Sequence, residues 1–118
     1  MNLKYIFKIL DKNEWNNAKI NGNYSGSAQD LKDGFIHFSE EEQVHETLKK
    51  HYDKQENLIL LKVQTLNLKH LVWESASNGN MYPHLYSTLD IKNVEDEFEL
   101  IINKDGAHQL PDIFGKQL

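Results

Sequence analysis

The feature that most constrains the fold is a short, almost wholly apolar run near the middle of the chain, LILLKV at Leu58–Val63. It is far shorter than the roughly 20 apolar residues that a membrane-spanning helix needs. Apolar runs of this length are typical of strands that are covered on both faces. We therefore predict a central strand within residues 57–65. The rest of the chain must then pack against both faces of this strand.

The composition is that of one globular domain over residues 1–118, with 39% hydrophobic and 26% charged residues. The chain has no cysteine, which excludes disulfides, thiolate metal sites and cysteine nucleophiles. The first ten residues, MNLKYIFKIL, carry lysines within the apolar run and lack a small-residue cleavage site, which argues against a signal peptide. We expect a cytoplasmic protein without a membrane partner. The sequence does not specify an oligomeric state.

The formal net charge is −5, and all 13 basic residues are lysines. Nucleic-acid binding normally requires a clustered basic face, and the lysines are not clustered, so we do not expect DNA as a partner. A chain without arginine cannot form bidentate guanidinium clamps on phosphates or carboxylates. An anionic ligand must therefore be held by lysine, histidine or backbone amides.

The N-terminal third is predicted to contain a strand followed by a short helix. Residues 4–10 are rich in aromatic and β-branched residues, as strands are. Asp11 and Glu14 have the spacing of a capping box, and Trp15 and Ala18 are predicted to face the core. The following segment, NYSGSAQDLKDG, favours turns and a short helical segment.

A second strand is predicted at residues 35–38, where Ile36 and Phe38 lie on one face and Phe35 and His37 on the other. The residues after it predict a helix and then further strands.

Ser39 and Glu42 have capping-box spacing, so a second helix is predicted from Ser39 to about Tyr52. Later strands are predicted at residues 71–75 and 97–103. This order predicts an α+β fold with a split antiparallel or mixed β-sheet core and two short helices near the N-terminus.

His37 and His84 are the histidines whose surroundings point most clearly to a site. His37 interrupts an apolar strand directly before the predicted helix start at Ser39, where backbone amides are able to hold an anion. The alternative is a core histidine bonded to a neighbouring strand. His84 follows Pro83 between two tyrosines, a setting that suits either stacking on a ligand ring or closing the end of a sheet.

Other chemistries have weaker support in the sequence. Zinc could be held by these two histidines and Glu74, but no HExxH or comparable spacing exists, so no metal site is predicted. GxSxG, P-loop and GxGxxG strings are absent from the sequence. Structural or solvent-exposed roles are expected for the remaining histidines, which are His45, His51, His70 and His108.

Several strings in the chain resemble the domain-of-unknown-function family 952, from Tyr5 to Val94. They are YIFKIL, EW, NYSGSAQDLKDGFIHFS, LVWES and YPHLYSTLDI. The fold of that family is similar to the ADP-ribosyltransferases, in which a split β-structure holds NAD in a cleft between two small sheets. The resemblance therefore implies that NAD, ADP-ribose or another nucleotide-like small molecule is the ligand.

The resemblance also implies roles for particular residues. His37 occupies the second motif position of the cleft, as in the branch that includes RNA 2′-phosphotransferases, and the third position lies on the strand that begins at His84. At the first position Lys8 stands where many transferases have histidine, and no glutamate after His84 matches the usual catalytic one. The implied catalytic residues are His37 and His84. The implied ligand contacts are Lys8, Tyr24, Ser39, Glu74 and Tyr86.

Three functions stay open at this point. The first is a binding domain for NAD, ADP-ribose or a similar ligand, with NAD as a candidate cofactor. The second is an enzyme that transfers ADP-ribose or removes a 2′-phosphate. The third is a non-catalytic protein-interaction module that uses the helix after Ser39. The first two require that His37 and His84 meet at one solvent-reachable cavity.

Overall fold

The structure is a computed structural model that describes residues 4–111. This part of the chain contains nine strands, three α-helices and two short 3₁₀ turns, at Glu41–Gln43 and Ile91–Asn93. The elements in chain order are β1 Tyr5–Asp11, α1 Lys12–Asn21, β2 Asn23–Tyr24, α2 Ala28–Asp33, β3 Ile36–His37, α3 Val44–His51, β4 Leu58–Gln64, β5 Leu71–Ser75, β6 Met81–Leu85, β7 Leu89–Asp90, β8 Val94–Ile102 and β9 His108–Gln109.

The strands form three sheets in which every described pairing is antiparallel. The largest has the order β1-β4-β8-β9, the second has the order β3-β6-β5, and β2 pairs with β7. The predicted α+β class is confirmed. Of the three described helices, α1 and α3 correspond to the two helices predicted, and α2 at Ala28–Asp33 is the short helical segment predicted within NYSGSAQDLKDG. Among the described helices, none is both long and apolar enough to cross a membrane.

Strand β4 is central in its sheet and buried on both faces, as predicted. One face packs with Trp15 and Ala18 of α1, and the other packs with Val44 and Leu48 of α3. The alternation of β4 divides its apolar residues between the two clusters: Ile59, Leu61 and Val63 belong to the first, and Leu58 and Leu60 to the second. A continuous apolar run is therefore the pattern that this position requires.

Helix α1 begins at the predicted N-cap residue, Asp11. The side chain of Asp11 accepts hydrogen bonds from the backbone amides of Asn13 and Glu14. Gly22 ends the helix in the left-handed region, with φ of 89°. Glu14 does not close the predicted capping box, because its carboxylate accepts a hydrogen bond from the hydroxyl of Tyr24 instead.

The predicted helix start at Ser39 is wrong. Both backbone groups of Ser39 pair with Phe7 of β1, at 2.8 Å each, so this residue extends the strand region. The following 3₁₀ turn begins after Glu40, whose amide donates to the side chain of Gln43. The Phe7–Ser39 bridge joins the three-stranded sheet to the edge of the four-stranded one. It brings β3 and β1 side by side.

Candidate functional site

His37 and His84 lie directly opposite each other in the β3–β6 pair. Their ring centroids are 5.5 Å apart in an edge-to-face arrangement, and both rings line one cavity. Directly opposed residues of an antiparallel pair project from the same face of the sheet, which explains the convergence of residues 47 positions apart. The two imidazoles therefore share one cavity wall.

The cavity has a volume of about 730 Å³ and is bounded by residues of β1, α2, α3 and β6. This volume lies in the range of small-molecule sites, which is about 300–1,000 Å³. Lys8 of β1 and Ser39 also line it, and Ser39 places its hydroxyl 3.0 Å from that of Thr47. Four of the residues predicted from the sequence thus lie on the wall of one cavity.

Asp30 links three parts of this wall and is itself only 2% exposed. Its Oδ2 accepts hydrogen bonds from Nζ of Lys8 and from the amide of Ser27, at 2.9 Å each. Its Oδ1 lies 2.5 Å from Nδ1 of His37 and accepts a hydrogen bond from the amide of the same residue at 3.2 Å. One buried carboxylate therefore connects β1, the start of α2 and β3.

Asp30 is not among the site residues predicted from the sequence. Its spacing from Ser27 is that of a capping box, which the structure contains and which begins α2. This spacing, together with a lysine inside the apolar run YIFKIL that would need a counter-ion if buried, could have identified it.

Asp30 is ionised in the folded protein. Burial by itself would raise the pKa of this carboxyl, but the hydrogen bond from His37 and the charge and hydrogen bond of Lys8 outweigh it and hold the pKa well below its usual range. Burial lowers the pKa of the Lys8 ammonium, and Asp30 opposes that shift. The two side chains form a buried ion pair, 4% and 2% exposed.

Lys8 retains hydrogen-bonding capacity toward the cavity. An ammonium has three N–H donors. Within residues 4–111, the single acceptor that Nζ contacts is Oδ2 of Asp30. The remaining two donors belong to a side chain that is buried and lies on the cavity wall. A bound oxygen atom would satisfy them.

Glu74 and Tyr86, which were predicted as ligand contacts, do not line the cavity. They lie next to His84 and hold its ring through hydrogen bonds. Oε1 of Glu74 lies 2.7 Å from Nδ1 of His84 and accepts a hydrogen bond of 2.7 Å from the hydroxyl of Tyr86. These hydrogen bonds, first that of Tyr86 and then that of His84, lower the pKa of Glu74. The ring of Phe35 stacks on His84 with centroids 4.0 Å apart. Both the orientation and the position of the His84 ring are thus fixed.

Tyr24 lies apart from this cavity. It lines a smaller depression of about 360 Å³, and its hydroxyl donates to Glu14 at 3.3 Å. Burial raises the pKa of Tyr24, and the charges of Asp30 and Glu14 add to that effect. The cavity that holds His37 and His84 therefore receives no contribution from this ring.

The helix start after β3, which was predicted as an anion site, is acidic. Its first turn carries Glu41 and Glu42, and Glu40 accepts a hydrogen bond of 2.9 Å from the indole of Trp73. Negative side chains at a helix start take the place that an anion would occupy. Among the described residues, no group of three or more potential ligands is arranged to hold a metal ion.

The remaining histidines lie outside the His37–His84 pair. His45 is exposed on α3, and the backbone carbonyl of His70 accepts a hydrogen bond from the amide of Tyr86. Nε2 of His108 lies 2.7 Å from the carbonyl oxygen of Gln55. His51, at the end of α3, lines the cavity, which the sequence analysis did not anticipate.

Solved structures of one bacterial protein are similar to this chain over almost its whole length. The crystal structure of protein CC0527 from Caulobacter crescentus is 42% identical, covers 96% of each chain and has a TM-score of 0.86. The solution NMR structure of CC0527 is 43% identical, has a TM-score of 0.82 and covers 97% of this chain and 96% of the other. No curated protein matches the chain.

A family model described as "Protein of unknown function (DUF952)" matches residues 9–97. The matched range includes both histidines, Asp30 and Glu74, and therefore most of the cavity wall and its support. The chain belongs to the DUF952 family.

Proposed function

We propose that this protein binds a nucleotide-like small molecule, such as NAD or ADP-ribose, in the cavity lined by His37 and His84. The observation that carries the proposal is the opposed pair of histidines on the wall of a cavity of about 730 Å³. Each ring is held by a carboxylate, Asp30 for His37 and Glu74 for His84. Rings fixed in this way are suited to orienting the hydroxyl and phosphate groups of a ligand.

The chemistry of the wall agrees with a ligand that is rich in oxygen. Lys8 has two donors to offer, and a ribose or phosphate oxygen would accept them. Ser39 and Thr47 add hydroxyls that both donate and accept. Because the chain has no arginine, the anionic part of such a ligand would be held by lysine and histidine.

An ADP-ribosyltransferase-like fold is part of this proposal. It is supported by two antiparallel sheets, β1-β4-β8-β9 and β3-β6-β5, that meet at the Phe7–Ser39 bridge beside the cavity. Lys8 and His37 lie on adjoining strands there, as the first two motif positions of such a cleft would.

The proposal is tested by isothermal titration of the full chain with NAD and with ADP-ribose at up to millimolar ligand. We expect binding by the wild type and by His45→Ala, whose side chain is exposed on α3. We expect at least a tenfold loss of affinity in His84→Ala. A folded protein that produces no heat with either ligand would refute the proposal.

A second candidate function is enzymatic transfer of ADP-ribose or removal of a 2′-phosphate. It is favoured by the Glu74–His84 and Asp30–His37 pairs, since a carboxylate-oriented imidazole is the usual general acid or base of an enzyme. The assay is release of nicotinamide from NAD and of phosphate from a 2′-phosphorylated nucleotide. Turnover that disappears in His37→Ala and persists in His45→Ala supports catalysis. Equal loss in both variants, or none in either, argues against it.

A non-catalytic protein-interaction role has less support. It would be favoured by a cleft filled with the protein's own side chains, whereas this cavity is open and lined by charged groups. A stable partner that is captured equally well by His37→Ala and by the wild type would support the interaction role.

A further inference from the structure

We infer that the edge of strand β1 at Ile9 is a further part of the binding site, where the protein main chain holds the adenine ring of the ligand. The amide of Ile9 donates to the ring nitrogen N1, and its carbonyl oxygen accepts a hydrogen bond from the amino group at N6. The inference rests on the proposed function for the identity of the ligand, because adenine is the base that NAD and ADP-ribose share.

The main chain of β1 points alternately to the two sides of the strand. The register with β4 is continuous over residues 5–11, so the N–H and C=O groups of successive residues face β4 and the opposite edge in turn. Phe7 shows which residues face the edge, because both of its main-chain groups bond to Ser39 at 2.8 Å. Ile9 lies two positions later and therefore faces the same edge.

Main-chain contacts at both ends of β1 agree with this alternation. The carbonyl oxygen of Lys4 accepts a hydrogen bond of 3.1 Å from the amide of Thr65. The amide of Lys12 donates to the carbonyl oxygen of Asn57 at 2.9 Å. Both partners flank β4, so the even-numbered residues of this segment bond toward β4. The main chain of Ile9 therefore has no ladder hydrogen bond to β4.

The edge at Ile9 faces the cavity. The Phe7–Ser39 bridge is isolated, and residues 7–11 of β1 all line the cavity. Successive side chains of a strand point to opposite faces, so a wall made of consecutive residues includes the strand edge. Ile9 is only 5% exposed. In the described part of the chain, its carbonyl oxygen has one partner on this side, the hydroxyl of Tyr52 at 3.4 Å, and its amide has none.

A buried main-chain amide without a partner is uncommon, because it costs about as much as a lost hydrogen bond. Adenine would satisfy it, since its N1 acceptor lies next to the N6 donor on one planar edge. The carbonyl oxygen of Ile9 has two lone pairs, so it can accept from N6 while the hydroxyl of Tyr52 stays bonded. Lys8 and His37, on the same cavity wall, remain for the phosphate and ribose groups.

The open edge is tested without any ligand, by amide hydrogen exchange of the full chain measured with nitrogen-15 NMR. We expect the amide of Ile9 to exchange at least tenfold faster than the amides of Lys8 and Leu10, which face β4. Equal protection of the three amides would overturn the inference, whatever the protein binds.

The adenine assignment is tested by adding adenosine, which has the base without phosphates, at up to millimolar concentration. We expect the amide resonance of Ile9 to shift. We expect N6,N6-dimethyladenosine, which has no N6 donor, to bind about tenfold more weakly. Adenosine that leaves Ile9 unshifted would refute the assignment, as would a shift with nicotinamide alone. Binding of NAD or ADP-ribose without any change at Ile9 would refute this inference and leave the proposed function standing.

A proline at position 9 removes the amide hydrogen itself. Proline is tolerated in an edge strand where its nitrogen faces away from the ladder. Ile9→Val has as many side-chain carbons as proline and keeps the amide hydrogen, so it measures the effect of the smaller side chain alone. We expect Ile9→Pro to bind adenosine about tenfold more weakly than Ile9→Val. Equal affinity of the two folded variants would refute the inference. If Ile9→Pro does not fold, the comparison of adenosine with N6,N6-dimethyladenosine on the wild type decides.

Discussion

Removal of the buried carboxylate of Asp30 should be among the most damaging single substitutions in the protein. Asp30→Ala eliminates the hydrogen bonds to Lys8, His37 and the amide of Ser27, and leaves a buried ammonium without a counter-ion. Breaking a buried ion pair from one side costs about 3–5 kcal/mol. Domains of this kind have a free energy of unfolding of about 5–15 kcal/mol, so the variant should be marginally stable.

The assay is urea unfolding followed by tryptophan fluorescence and circular dichroism. We expect the free energy of unfolding to fall by about 4 kcal/mol, with a Tm lower by about 16 °C at roughly 4 °C per kcal/mol. Lys8→Met should cost less, because Asp30 keeps His37 and two backbone amides as partners.

The decisive comparison is the double variant of Lys8→Met with Asp30→Ala. It contains no unpaired buried charge, so it should be more stable than Asp30→Ala alone by about 1–3 kcal/mol. A double variant that is less stable than Asp30→Ala would refute the idea that the buried ammonium is the main source of the loss. A cost below about 1 kcal/mol for Asp30→Ala would refute the buried network itself.

Three further outcomes follow from the same contacts. Folding lowers the pKa of Asp30, so the ionised carboxylate stabilises the folded protein fully above its unfolded pKa of about 3.9, and this stabilisation is lost as the pH falls further. The Asp30→Asn variant should therefore lose less free energy of unfolding between pH 4 and 2 than the wild type does, as measured by urea unfolding. Burial, with smaller effects of the Asp30 and Glu14 charges, raises the pKa of Tyr52 to about 12. The neutral Tyr52 side chain therefore stabilises the folded protein below pH 10, and this stabilisation is lost as the pH rises toward 12. Tyr52→Phe should reduce the loss of free energy of unfolding at alkaline pH, as measured by urea unfolding. Ser27→Ala removes the side-chain cap of α2 and should lower the free energy of unfolding by about 1 kcal/mol in the same measurement. An unchanged free energy of unfolding would show that Asp30 is sufficient to cap the start of the helix.

The elements whose pattern depends on burial were predictable from the sequence. The LILLKV run identified the central strand because an uninterrupted apolar pattern fits a strand covered on both faces. The alternation around His37 placed Ile36 and Phe38 inward, and both are buried. In each case, local periodicity reports directly on which face meets the core.

Features that depend on contacts between distant segments were not predictable in this way. Ser39 has the local pattern of a helix cap. Its backbone amide and carbonyl instead form hydrogen bonds with Phe7, 32 positions earlier, and the helix begins later in the chain. Asp30 has the pattern of a capping residue, and nothing local indicates that it also binds Lys8 and His37. Local propensity is overridden wherever tertiary hydrogen bonds compete for the same groups.

The position of Asp30 also determines which substitutions can report on function. Its carboxylate begins α2, fixes the backbone of β3 at His37 and holds Lys8 of β1, so loss of activity in an Asp30 variant would not separate chemistry from folding. The ring of His84 differs, because its one hydrogen-bond partner among the described side chains is Glu74 and the strand pairing of β6 does not depend on it. A loss of ligand binding in His84→Ala with an unchanged free energy of unfolding would therefore locate the function at the cavity wall. A parallel loss of both would indicate instead that the imidazole pair is part of the packing of the sheet.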